Sequence, residues 1–221
     1  MDKKCTIIIS GGLDSSTLIY QLYSEGYKLH AVSFLYGQKH SREIECAKKI
    51  VSNLAGIKHT IIDISYLGKE LNSALTNSNE NIPEGHYQAE NMRRTVVPNR
   101  NMIMATIAHA IGYSNEIKNI ALGIHAGDHF IYPDCRPEFI KEFEKTLRLS
   151  NDDEEINVIT PFVNISKTEI LKIGLELGVP YENTWTCYVG GDLACGKCGS
   201  CNERLSSFKE CKTQDPLFYA E

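Results

Sequence analysis

The stretch from residue 6 to residue 19, TIII-SGGLDSS-TLIY, constrains the fold more than any other part of the chain. Thr6, Ile7, Ile8 and Ile9 form a short β-branched apolar run, the composition of a buried parallel strand. Ser10, Gly11 and Gly12 then turn the chain. Asp14, Ser15 and Ser16 are helix starters whose side-chain oxygens can accept the orphan N–H groups of a first turn. Leu18, Ile19 and Leu22 supply the apolar stripe of the helix that follows. A strand, a glycine-rich turn and a helix N-terminus together form an anion cradle, because backbone N–H groups and the helix dipole point the same way.

This cradle is not a Walker A loop, since no lysine follows Gly12, and the dinucleotide pattern G-x-G-x-x-G is absent. The chain has 221 residues, enough for one large domain or a domain with a small appendage. Its net charge of -5, with no basic tail or stripe, argues against binding a nucleic-acid backbone. No apolar run reaches the roughly 18 residues that span a membrane. Met1, Asp2, Lys3 and Lys4 lead straight into the first strand and leave no room for a signal peptide, so a cytoplasmic protein is expected.

Strand and helix signals alternate along the chain and predict an α/β fold, a Rossmann-like parallel sheet with helices on both faces. Strands are expected at 6–9, 29–35, 58–64, 117–124 and 155–163. Helices are expected after Asp14 and at 41–54, 100–113, 137–149 and 166–177, with a last short one from Asn202. Ser166 and Glu169 have capping-box spacing, and Gly178 and Pro180 end that helix. The polar stretch 77–94, with Pro83 and Gly85, reads as a long loop of the kind that forms lids or binding loops. Ligands of open parallel sheets bind beyond the C-terminal strand ends. The segments to watch are therefore 10–16, 36–40, 98–101 and 125–136.

Eight cysteines are many for a reducing compartment, and four of them, Cys187, Cys195, Cys198 and Cys201, have the spacing C-x7-C-x2-C-x2-C. Four thiolates suit tetrahedral zinc in a closed, structural site, with an iron–sulfur cluster as the main rival. Gly196 and Gly199 relax the backbone there, and Lys197 and Arg204 are placed to soften the charge. The division expected is 1–183 for the nucleotide-binding domain and 184–221 for a zinc-binding segment. Arg100, at a helix start after Pro98-Asn99, can pair with phosphate or carboxylate in a planar fork. His125, Asp128 and His129 suggest a second metal site, or groups that hydrogen-bond a polar heterocycle. Asp14 has no cation near it in the sequence and suits a magnesium-bridged contact. Lys167 is a candidate for neutralising a leaving pyrophosphate.

The segment SGGLDSS at 10 resembles the pyrophosphate loop of the N-type ATP pyrophosphatases, which split ATP between its α and β phosphates. With FLYGQKH at 34, TVVPNRN at 95, YPDCRPEF at 132, SKTEI at 166 and WTCYVGGDLACGKCGSCNERL at 185, nearly the whole chain resembles the 7-cyano-7-deazaguanine synthases, the queuosine-pathway branch of that superfamily. The resemblance implies an ATP- and Mg2+-dependent carbon–nitrogen ligase that takes 7-carboxy-7-deazaguanine and ammonia to the nitrile through an acyl-adenylate and an amide. It implies that Asp14, Lys167 and Arg100 serve catalysis. Ser10, Gly11, Gly12, Leu13, Asp14, Ser15, Ser16 and Gln38 would hold ATP, and Tyr36, His40, Asp128, Asp134 and Arg136 the deazapurine. It also implies structural Zn2+ on the four cysteines and a homodimer. Leu35 stands where the family commonly has an acidic residue. Related enzymes pass the activated carboxylate to a macromolecular amine, which is the alternative reading. A zinc-stapled nucleotide-binding module without turnover is a third, against which the intact loop argues.

Overall fold

The computed structural model describes residues 3–77, 79–86 and 89–220. Five parallel strands make one sheet: β1 (Lys4–Ile8), β2 (Lys28–Leu35), β3 (Lys58–Asp63), β4 (Asn119–Ala121) and β5 (Asn157–Ile159). Among the described residues there are seven α-helices, five between the strands and two after β5: α1 (Leu13–Ser24), α2 (Arg42–Ser52), α3 (Leu67–Glu70), α4 (Arg100–Tyr113), α5 (Pro137–Asn151), α6 (Lys167–Glu176) and α7 (Gly199–Glu210). The strand order is β3-β2-β1-β4-β5, so the chain reverses its direction of travel across the sheet between β1 and β4. That switch point is where open α/β sheets leave a crevice, and the loop at 10–16 opens into it.

The sheet is apolar on both faces because its strands alternate between two cores. Cys5, Ile7 and Ile9, with Leu29, Ala31 and Ala121, pack against α1, α2 and α6. Val32, Phe34, Ile120 and Leu122 pack on the other side with Met104, Ala105 and Ala108 of α4 and Phe143 and Leu147 of α5. Ile7 and Ile120 are fully buried, each contributing on the order of 1.5–3 kcal/mol of transfer free energy. Among the described residues no helix is long and apolar enough to cross a membrane.

The last two strands are shorter than their apolar runs. β4 leaves the sheet near Gly123, whose backbone comes so close to Ser15 that a Cβ there would lie 3.1 Å from its Cα. Past β5, Leu122 still donates to the Ile159 carbonyl at 3.0 Å, and Pro161, which has no N–H to offer a ladder, follows Thr160. The last helix begins at Gly199 instead of Asn202, with Cys198 as its N-cap. In the polar stretch 77–94, Glu90–Thr95 forms a 3-10 helix. Glu84 pairs with Cys198 in an isolated antiparallel bridge, and Gly85 donates to the Lys197 carbonyl at 3.1 Å. Ser78, Tyr87 and Gln88 of that stretch lie outside the described residues.

Candidate active site

The helix that follows the loop starts without a side-chain cap. Gly12 is the N-cap of α1, and no side chain bonds the first-turn N–H groups, contrary to the capping role expected for Asp14, Ser15 and Ser16. The serines are engaged otherwise: Ser15 Oγ accepts from Ser10 N at 3.2 Å and lies 3.0 Å from Ser10 Oγ, while Gly12 N donates to Ser10 Oγ at 3.2 Å. Ser16 Oγ is buried with no partner. The helix end is thereby left to an anion. Gly11 is required twice over: its φ is +85°, and a Cβ would sit 2.2 Å from the Glu43 carbonyl oxygen. Leu13 packs its side chain into the core, which leaves only its backbone for a ligand.

Asp14 does have a cation, brought from far along the chain. Lys167 is the first residue of α6, set there by the predicted capping box, in which Ser166 Oγ accepts from Glu169 N and Glu169 accepts from Ser166 N. Its ammonium lies 3.3 Å from Asp14 Oδ2 and 2.6 Å from Glu203 Oε2, with only 6% of the side chain exposed. Burial alone would push Lys167 down, but the carboxylates of Asp14, Glu203 and Asp128 raise it well above the usual lysine range. It is a permanent cation at the mouth of the loop. Asp14 Oδ1 is buried without a partner, an acceptor aimed at a group still to arrive.

His125 completes this end. Its Nδ1 accepts from Gly127 N at 3.0 Å, which places the ring proton on Nε2. Nε2 faces Asp128 at 3.5 Å and Asp14 and Glu203 at 4.0 Å each. A protonated nitrogen turned to carboxylates is not a metal ligand, so His125, Asp128 and His129 do not form the second metal centre the sequence suggested. Among the described residues, the four cysteines are the group of side chains close enough to share an ion.

The other end of the crevice is aromatic. Arg100 lies between the rings of Tyr36 and Tyr132, with its Cζ 5.8 and 5.6 Å from their centroids. Glu43 and Tyr188 line the same space. Burial pushes Glu43 up to about 7, although Arg100 pulls the other way. Burial also pushes Tyr36 up to about 12, again against Arg100.

Four residues expected in the site are turned away from it. Gln38 serves the end of β2: its Oε1 accepts from Tyr36 N at 2.8 Å and its Nε2 donates to the Phe34 carbonyl at 3.3 Å. His40 donates from Nε2 to the Cys187 carbonyl at 3.0 Å and packs edge-on against Trp185. Asp134 accepts from the backbone and side chain of Asn101 and so caps α4 from outside. Arg136 donates to the His129 carbonyl at 2.9 Å. Leu35 pairs with Asp63 at the end of the sheet, also outside the crevice lining.

The cysteine segment reaches the crevice directly. Trp185 N donates to the Gly11 carbonyl at 2.9 Å, and Thr186, Tyr188 and Ser200 line the pocket. The four Sγ atoms all lie within 4.8 Å of one another, close to the roughly 3.8 Å edge of a zinc–thiolate tetrahedron. Cys195 N donates to Cys187 Sγ at 3.3 Å, and Cys198 N to Cys195 Sγ at 3.3 Å, which supports negative sulfur. Bonds from the Cys198 and Cys201 thiols hold Cys187 well below the usual thiol range. The donor set is compatible with zinc. Gly196 uses its freedom, with φ +68°, whereas Gly199 is ordinary helix. Arg204 does not face the thiols: it is fully buried and paired through Nε and Nη2 with Asp215 at 2.8 and 3.0 Å.

Residues 4–212 match the family model described as Queuosine biosynthesis protein QueC. The chain belongs to that family. A relative from Caldicellulosiruptor bescii is 48% identical over 216 residues, covering 98% of this chain and 97% of its own. One from Caldicellulosiruptor saccharolyticus is 45% identical over 98% of this chain and 95% of its own. One from Methanoregula boonei is 44% identical over 98% and 99%. All three carry the name 7-cyano-7-deazaguanine synthase. Among solved structures, NMN synthetase from Francisella tularensis is similar with TM-score 0.52 at 13% identity, over 96% of this chain and 79% of that one. A predicted subunit of tRNA methyltransferase from Methanocaldococcus jannaschii gives 0.51 at 16%, over 99% and 92%. At such identities the likeness is one of fold.

Glu203 and Glu43 escaped the reading of the sequence. Glu203 had a signal: Ser200, Glu203, Arg204 and Ser207 recur at helical spacing and form a polar stripe on the inner side of α7. Glu43, on the first turn of α2, had none, since an acidic residue at a helix start is ordinary.

Proposed function

We propose that the protein is an ATP-dependent ligase that converts 7-carboxy-7-deazaguanine and ammonia into 7-cyano-7-deazaguanine. Full-length similarity to relatives of that name carries this reading, and the loop–Lys167 centre supplies the chemistry it needs. A carboxylate resists attack by ammonia until one oxygen becomes a good leaving group. Transfer of AMP from ATP to that oxygen breaks the α–β phosphoric anhydride and releases pyrophosphate. Ammonia then displaces AMP and leaves an amide. A second AMP transfer to the amide oxygen, followed by loss of AMP and protons, gives the nitrile.

The loop amides at 10–16 and the N-terminus of α1 receive the pyrophosphate, and Ser10 and Ser15 exchange their mutual bond for phosphate oxygens. Lys167 neutralises charge that grows on the leaving group. Asp14 and Glu203 keep Lys167 in place before ATP arrives. The orphan Asp14 Oδ1 fits a magnesium ion, which when bound would add Lewis-acid charge neutralisation at the phosphates. Zinc on the four thiols would be structural, since four protein ligands leave no open position. The nitrile named for the relatives favours ammonia over a macromolecular amine as the nitrogen source.

Mass spectrometry of a mixture of protein, ATP, Mg2+, ammonium and 7-carboxy-7-deazaguanine tests the reading. The nitrile should form with two AMP per product. Amide that accumulates without nitrile, or no ATP consumption, would contradict it.

A further inference from the structure

Glu43 is a pocket-lining carboxylate with no hydrogen-bond or ion-pair partner among the described residues. Its helix is held against the loop, where the Glu43 carbonyl oxygen fills the space a side chain at position 11 would need. The charged groups of the crevice gather around two cations, Lys167 and Arg100, with Asp128 felt on both sides. Lys167 feels Asp14, Glu203 and Asp128, while Arg100 feels Tyr36, Tyr132, Tyr188 and Cys135, and Glu43 feels Arg100. Glu43 therefore has its backbone against Gly11 of the loop, while its carboxyl lines the pocket and feels Arg100 at the aromatic end. Tyr36, Tyr132 and the Arg100 guanidinium there provide flat surfaces for a planar heterocycle.

A carboxylate only accepts hydrogen bonds, so its two oxygens ask for two adjacent N–H donors. An adenine edge offers one donor beside an acceptor and would turn a lone pair toward one oxygen. A 2-amino-pyrimidin-4-one edge offers a ring N–H beside an exocyclic amine, a parallel pair that matches both oxygens. We infer that Glu43 is the specificity-determining residue for the base, accepting in bidentate fashion from the aminopyrimidinone edge of the substrate at the aromatic end of the crevice. This inference rests on the proposed deazaguanine substrate and adds the group that reads it.

Steady-state kinetics of wild type and Glu43→Gln test it, with 7-carboxy-7-deazaguanine and with its analogue lacking the 2-amino group. The wild type should discriminate against the analogue by about 10-fold or more in kcat/KM, because a site built for a donor is left unpaired without it. Glu43→Gln should raise KM for the full substrate about 10-fold or more, leave KM for ATP and ammonium unchanged, and erase the discrimination. Wild type that accepts both bases equally overturns the inference whether or not the variant folds. A variant whose KM moves for ATP or ammonium instead of the base overturns it too. Wild type that turns over neither base, with ATP intact, removes the proposed function and the inference together, an outcome separate from the others.

Discussion

The two ends of the crevice are built in opposite ways. The phosphate end is mostly backbone: a contiguous loop, held by glycines and by serines that bond one another, with one buried lysine brought in by α6. The aromatic end is entirely side chains, contributed by the segment after β2, by α2, by α4 and by the stretches around Tyr132 and Tyr188. A backbone cradle grips any phosphate and suits a cosubstrate shared by many enzymes. A side-chain pocket changes with each substitution and suits the substrate that is particular to one. The cysteine segment joins the two, since Trp185 and Thr186 touch the first end and Tyr188 the second.

The sharpest break of this contrast is Lys167→Met. The backbone cradle remains, so ATP should still bind, but the charge on the leaving group is no longer met. The expected loss in kcat is about 10²- to 10³-fold, read from AMP release. A variant with normal kcat would put the chemistry elsewhere.

Removing the link between the ends comes next. Cys198→Ser, or a strong chelator, should lower Tm by roughly 10 °C or more, because metal-binding free energy in such sites is folding free energy. An unchanged melting curve would mean the four thiols hold no structural ion.

A smaller effect belongs to the aromatic end. Burial pushes Glu43 up to about 7, above its ordinary 4.5, although Arg100 pulls the other way. A carboxyl raised in this way contributes stability below about pH 4.5 and loses it as pH rises through 7. Glu43→Gln should therefore match wild type near pH 4.5 and melt higher at pH 8, with the gap opening as pH rises between the two. A Tm difference that does not vary with pH would contradict the assignment. Smallest of all, Gln38→Ala should leave KM for ATP and for the base within about twofold, because its amide is spent on the backbone at the end of β2. A large rise in either KM would show that this loop rearranges around ligand.

The same contrast explains what the sequence disclosed. The sheet and the loop were legible because both are local: period-two strands, a glycine turn and a helix start are written in adjacent residues. The capping box at Ser166 was legible for the same reason. The four cysteines were legible because metal ligation needs a fixed spacing. What was hidden is what the fold brings together: the Asp14–Lys167–Glu203 cluster joins α1, α6 and α7, and Glu43 meets Arg100 across α2 and α4. Gln38, His40, Asp134 and Arg136 share their segments with crevice residues, yet each bonds nearby backbone or side chains instead: Gln38 the Phe34 carbonyl, His40 the Cys187 carbonyl, Asp134 the Asn101 amide and Arg136 the His129 carbonyl. A motif fixes which segment reaches the crevice, and backbone geometry decides which of its side chains point inward.

The most direct test of the central claim, that the phosphate end moves AMP onto a substrate oxygen, is the fate of that oxygen. Substrate labelled with ¹⁸O in both carboxylate positions should give unlabelled pyrophosphate and two AMP molecules per nitrile, each carrying one ¹⁸O. Label in inorganic phosphate, with ADP as the nucleotide product, would contradict the account.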